Sequence, residues 1–159
     1  MQPRQKSSVP ARSLAGEPLR QKAIALLARR EYARSELEQR LVARGGERGE
    51  VRMLLETLAA QDLLSDARYA RSMVARRIGS RSRRRIAEEL KAAEIAPEHI
   101  DAALAETGLD DEATLVALWQ RRFGRAPADE RDKARQVRFL QSRGFALSAI
   151  LKLLRRESG

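Results

Sequence analysis

The sequence predicts an all-α protein, a tandem array of three three-helix repeats, elongated and curved. Three observations predict it. The 159 residues are 43% apolar and 34% charged but only 4% aromatic. Leu, Ala, Arg and Glu dominate, which are helix formers, and the short Val, Ile, Thr, Tyr and Phe blocks that make strands are missing. From Leu19 onward the apolar residues fall at helical spacing. Landmark residues then recur: Leu41 to Val51, Leu90 to Ile100 and Leu140 to Ile150 each span ten residues, and Leu55, Leu104 and Leu154 stay in step. A period of roughly 45–50 residues marks a helical repeat. Units this short bury little alone, so neighbours are expected to pack end to end.

The elements follow in order. Residues 1–17, with Pro, Ser and basic residues, read as a flexible basic tail. Residues 18–64 form the first repeat. Ala23, Leu26 and Leu27 mark its first helix. Ser35 to Glu38 (SELE) reads as a capping box opening the second, whose stripe is Leu37, Leu41 and Val42 and whose end is Gly45-Gly46. Val51, Leu54, Leu55 and Leu58 give the third. Residues 65–109 and 110–159 repeat the plan. Each unit carries an arginine pair near the end of its first helix: Arg29-Arg30, Arg76-Arg77 and Arg121-Arg122. Between the second and third units, residues 96–112 hold six acidic and no basic side chains. Asp110 to Glu112 there would open a helix, where carboxylates suit the dipole.

Charge indicates the partner. The net charge is +10, and 27 of the 32 basic residues are Arg. Arginine is the better fork for phosphates and carboxylates and stacks on bases. This argues for a polyanionic partner or a strongly acidic protein surface. With no cysteine there is no disulfide, no thiolate metal site and no thiol nucleophile. No apolar run approaches 18 residues, and the N-terminus has no signal-like apolar stretch, so the expectation is a cytoplasmic monomer away from membranes.

The sharpest motif is Arg76 to Arg85 (RRIGSRSRRR), with six arginines and no acid. Gly79, Ser80 and Ser82 break the helix there. Ser82 reads as an N-cap, which puts Arg83, Arg84 and Arg85 in a first helical turn where acidic residues are preferred. A local rule broken this strongly marks a site. Open amides, a positive dipole end and arginine forks make an anion-binding surface. The candidate contact set is Arg76, Arg77, Arg81, Arg83, Arg84 and Arg85, joined by Arg29, Arg30 and Arg34 and by Arg121, Arg122 and Arg125. Tyr32, Tyr69, Trp119 and Phe123 lie near these turns. On helical stripes such aromatics read as core before stacking platforms. Catalysis finds no footing. His99 is the lone histidine, Glu88-Glu89 and Asp110-Asp111 point to different helix faces, and no phosphate loop is present. The expectation is no enzyme, no cofactor and no metal.

The stretch from Ala25 to Gly45 (ALLARREYARSELEQRLVARG) resembles the first-repeat signature of the RecX regulatory proteins. Leu63 to Arg71 (LLSDARYAR), continuing through Ile86 to Leu90 (IAEEL), is similar to their second block. Two positions depart from that pattern. Gly79 is followed by Ser-Arg-Ser instead of a second glycine, and Glu94 stands where the other units have Gly45 and Gly144. Residues 110–159 match by helical rhythm and by Arg121 to Gly124 (RRFG). The resemblance implies a non-catalytic, curved, three-repeat protein that binds in the groove of the RecA–single-stranded DNA filament. It implies restraint of recombinase, ATPase and coprotease activity in DNA repair and the SOS response, with single-stranded DNA met through the filament. Short helices and the +10 charge also fit a helix-turn-helix transcription factor, but the basic residues recur in every unit instead of concentrating on one recognition helix, and a general single-stranded nucleic-acid binder would carry more exposed aromatics.

Overall fold

A computed structural model describes residues 15–159. Among them are nine helices and no strand: α1 (Gly16–Leu27), α2 (Arg34–Ala43), α3 (Arg48–Ala60), α4 (Asp66–Arg77), α5 (Arg83–Ala92), α6 (Pro97–Ala105), α7 (Asp111–Arg122), α8 (Glu130–Ser142) and α9 (Leu147–Ser158). The described residues divide into two compact units, one ending at Ser65 and the other spanning residues 66–159. Most of the stretch read as a basic tail lies outside the described residues, but Gly16 and Glu17 already belong to α1.

The first unit packs α1, α2 and α3 on one another. Leu19, Ala23 and Leu26 of α1 meet Leu37 and Leu41 of α2 and Val51, Leu55 and Leu58 of α3, with Tyr32 and Leu64 closing the ends. The capping box expected at Ser35 does not form. Helix α2 opens at Arg34, and the residue before it, Ala33, is buried with extended backbone and no side-chain cap. Packing of Tyr32 and Ala33 sets the start. Glu38 takes Arg52 Nε at 3.0 Å instead of reaching back along the chain.

The second unit holds two three-helix layers. In the first, α4 packs against α5 and α6, and Tyr69, Ala70, Met73 and Val74 of α4 are buried, as are Ile86, Leu90, Ile100 and Leu104. In the second, Leu115, Leu118 and Trp119 of α7 join Leu140 of α8 and Ile150, Leu153 and Leu154 of α9. Trp119 donates its indole N–H to Gln136 Oε1 at 2.9 Å, which satisfies a buried polar pair inside this core.

The repeat is visible atom by atom. Leu41, Leu90 and Leu140 are each fully buried. The carbonyl of each accepts from the amide five residues on: Gly46 at 3.0 Å, Ile95 at 3.1 Å and Phe145 at 3.3 Å. This is the helix-ending turn that needs a left-handed residue. Gly45 (φ 97°), Glu94 (φ 60°) and Gly144 (φ 94°) supply it. Glu94 thus keeps the turn of its sister units despite its side chain. Gly144 has a second role. A β-carbon there would overlap Ser82 Oγ and Arg85 Cβ, so only glycine lets α5 approach the α8–α9 turn.

Two outcomes test this packing. Leu41→Ala and Leu90→Ala should each destabilise by about 2–5 kcal/mol in chemical denaturation, as truncations of close-packed core leucines do. Gly144→Ala should lose about 1–3 kcal/mol from overpacking and more from its left-handed backbone. Gly79→Ala, also left-handed (φ 85°) but with nothing near a new β-carbon, should lose only about 1–2 kcal/mol.

Candidate functional site

The arginine run lies where sequence reasoning expected, across the end of α4, a five-residue connection and the first turn of α5. Ser82 is the N-cap of α5, and its hydroxyl accepts from Arg85 N–H at 3.1 Å. Ser82 is itself buried. Its hydroxyl donates to Gly144 C=O at 2.8 Å and its amide donates to Arg143 C=O at 2.9 Å. The cap of the arginine helix is therefore bolted to the turn between α8 and α9.

The first turn of α5 has no acid of its own. One arrives from another helix: Asp111, at the start of α7, accepts from the Arg83 backbone N–H at 2.9 Å. That carboxylate sits at two helix N-termini at once, and both dipoles favour it there. The Arg83, Arg84 and Arg85 side chains remain exposed. Arg84 and Arg85 approach Glu88 at 3.7 Å, long, exposed pairs that contribute little.

Behind this rim lies a tighter cluster. Glu89 Oε2 accepts from Arg77 Nε at 3.0 Å, and its Oε1 faces Arg81 and Arg85. Burial lowers the Arg81 pKa, and Arg143 and Arg77 lower it further, against the opposing pull of Glu89. Arg121 reaches in from α7 and donates to Gly79 C=O at 2.7 Å. Ile78 stands exposed between the arginines. The second unit thus gathers Arg76, Arg77, Arg81, Arg83, Arg84, Arg85 and Arg121 around one loop. It adds Arg143, which sequence reasoning missed. The signal was present, because Arg143 precedes Gly144 as Arg44 precedes Gly45.

The other candidates are engaged differently. Arg30 lies beyond the end of α1, stacks over Tyr32 at 3.7 Å and pairs with Glu36 at 2.7 Å. Burial pushes the Glu36 carboxyl up, but hydrogen bonds from Arg30 and Arg40 outweigh it and leave it lowered. Arg29 is exposed in the same turn and Arg34 opens α2. Arg122 lies over Phe139 at 5.1 Å. Arg125, in the α7–α8 connection, donates to Asp132 in the first turn of α8 at 3.1 Å. The three arginine pairs therefore occupy unlike surroundings. Tyr32, Tyr69 and Trp119 are buried and Phe123 is half-buried, so they serve the core.

Beside Arg84, an open groove of about 350 Å³ runs between α7 and α9, with Leu115, Val116, Ala149 and Leu153 as its floor. No helix among the described residues is long and apolar enough to cross a membrane.

Comparison with known proteins agrees with this architecture. Residues 65–104 match the family profile described as RecX, second three-helix domain, and residues 110–154 the one described as RecX, third three-helix domain. The chain is 38% identical to the regulatory protein RecX of Ralstonia pickettii (strain 12J), over 86% of each chain. It is 43% identical to that of Ectopseudomonas mendocina (strain ymp), over 86% of this chain and 93% of the relative. The fold is similar to the crystal structure of RecX from Lactobacillus salivarius, with a TM-score of 0.64 at 19% identity, covering 88% of this chain and 94% of that one.

The first turn of α8 makes a pH prediction. Asp132 accepts from Ala128 N–H, Arg135 and Arg125, and these hold its carboxyl down at about 2 from an ordinary 3.8. A depressed carboxyl stabilises the fold above its unfolded pKa and loses that contribution as pH falls through its folded value. Asp132→Asn should be less stable than the wild type at pH 7 and converge with it near pH 2. Urea denaturation across that pH range measures the gap.

Proposed function

The chain belongs to the RecX family of regulatory proteins, and from that premise we propose that it binds the RecA–single-stranded DNA filament and restrains its recombinase, ATPase and coprotease activities. The observation that carries this reading is the gathering of arginines around the Gly79 loop. Six arginines flank or lie in that loop, Arg121 reaches it from α7, and Arg143 lies beside Arg81. Their charge is only partly answered by Glu88, Glu89 and Asp111.

Such a surface acts by binding alone. Arginines that neutralise phosphates release condensed counterions, so affinity falls steeply with salt. Arg83, Arg84 and Arg85 project from one helical turn in different directions, so they offer charge over a broad anionic surface. Ser82 and Asp111 fix that turn in place, which lowers the ordering penalty on association. A protein seated this way across filament subunits would hinder their turnover without touching the bound nucleotide. Its setting would be the cytoplasmic DNA-repair and SOS response.

The test is RecA ATPase on single-stranded DNA, titrated with the wild type and with an Arg83→Ala/Arg84→Ala/Arg85→Ala variant. The variant should fold normally, within about 1 kcal/mol of the wild type, because its side-chain pairs are long and exposed. Half-inhibition should need roughly tenfold more of it. If DNA phosphates are the contacts, the salt slope should become shallower by about 2, at about 0.7 per lost phosphate. If acidic protein groups are the contacts, naked DNA binding should stay unchanged while inhibition falls. A variant that inhibits as well as the wild type removes this surface from the mechanism.

A further inference from the structure

The arginine surface already contains an anion. Glu89 is 20% exposed; its Oε2 lies 3.0 Å from Arg77 Nε, and its Oε1 lies 3.7 Å from Arg81 Nε and 3.8 Å from Arg85 Nε. Three guanidinium groups, from α4, the connection and α5, share one carboxylate. Arg81 is only 17% exposed, with Arg143 close enough to disfavour its charge. Three cations therefore share Glu89, and a fourth, Arg143, lies near Arg81. A phosphodiester oxygen has the charge and the acceptor geometry of a carboxylate oxygen, and arginine forks receive both.

We propose that Glu89 is an internal counter-ion occupying a phosphate seat formed by Arg77, Arg81 and Arg85, and that a nucleic-acid backbone binds by exchanging with it. The proposal rests on reading the arginine surface as a contact to DNA phosphates. An isolated phosphate gains the three arginines only by breaking the same three contacts to Glu89, so it gains little. A strand that also meets Arg83, Arg84 and Arg121 drives the exchange with contacts outside the seat. Glu89 thus sets how many phosphates must be aligned before binding is favourable. It is a specificity residue, disfavouring short or disordered anions.

The neighbouring Glu88 provides the control. It is 53% exposed and comes no nearer than 3.7 Å to Arg84 and Arg85. Glu88→Gln removes the same unit of charge and leaves the seat closed.

The experiment is fluorescence anisotropy of a labelled oligothymidylate of about 36 nucleotides, titrated from 50 to 300 mM NaCl, conditions in which salt dependence counts phosphate contacts. Glu89→Gln should bind about three- to tenfold more tightly than the wild type, with the wild-type salt slope, because a phosphate fills the seat in both bound states. Glu88→Gln should gain about twofold or less, with the wild-type slope. Arg81→Ala, which keeps Glu89, should have a slope shallower by about 0.7, because the bound state then lacks the seat. That variant carries the test if Glu89→Gln does not fold. Equal behaviour of Glu89→Gln and Glu88→Gln, weaker binding by Glu89→Gln, or an unchanged slope in Arg81→Ala overturns the exchange. A wild type that fails to bind the oligonucleotide even at 50 mM overturns instead the DNA-contact reading beneath it.

Discussion

The hydroxyl of Ser82 joins two helical layers through one oxygen. It accepts from the amide that opens α5 and donates to the carbonyl of Gly144, while the Ser82 amide bonds Arg143 C=O. All of this happens out of contact with water, where a lost partner leaves a desolvated polar group. The approach is so close that Gly144 must lack a side chain. The direction of α5 relative to the α8–α9 turn, and so the placement of every arginine on its first turn, depends on this junction. Asp111 reinforces it from α7 by capping the same helix start.

That geometry resolves the feature that looked wrong locally. Three arginines at a helix N-terminus oppose the dipole. The structure answers with Asp111 of α7 on the backbone amide and with Glu88 and Glu89 one turn further along α5. The helix start is stabilised by a carboxylate bound to the main chain, which leaves the guanidinium groups pointing outward. Stability and anion affinity are thereby assigned to different atoms of the same residues.

Much of this was legible in the chain. The interval from Leu41 to Leu90 to Leu140 located three buried positions and three identical turns, because the same hydrophobic contact recurs in each unit. Ser82 was readable as a cap because a small polar residue precedes a helical stripe. The same rule applied to Ser35 failed, and the repeat explains why. Ala33 lies eight residues before Leu41 as Ser82 lies eight before Leu90, so register and burial set the start, not the nearest serine. The division into two compact units, with the second and third helical triplets in one body, was not legible. It rests on bonds such as Ser82 to Gly144, between residues far apart in sequence. The convergence of Arg121 and Arg143 on the Gly79 loop was hidden for the same reason, and the role of Glu89 could not be assigned until its three arginine neighbours had positions.

Trp119 is the chain's single tryptophan. It is buried in the α7–α9 core, with its indole bonded to Gln136. Intrinsic emission therefore reports on one helical triplet alone, blue-shifted while that core is dry and moving red when water enters. Far-ultraviolet circular dichroism instead averages all nine helices. The protein thus carries its own local probe: where the two signals diverge during unfolding, the α7–α9 core melts apart from the other described helices.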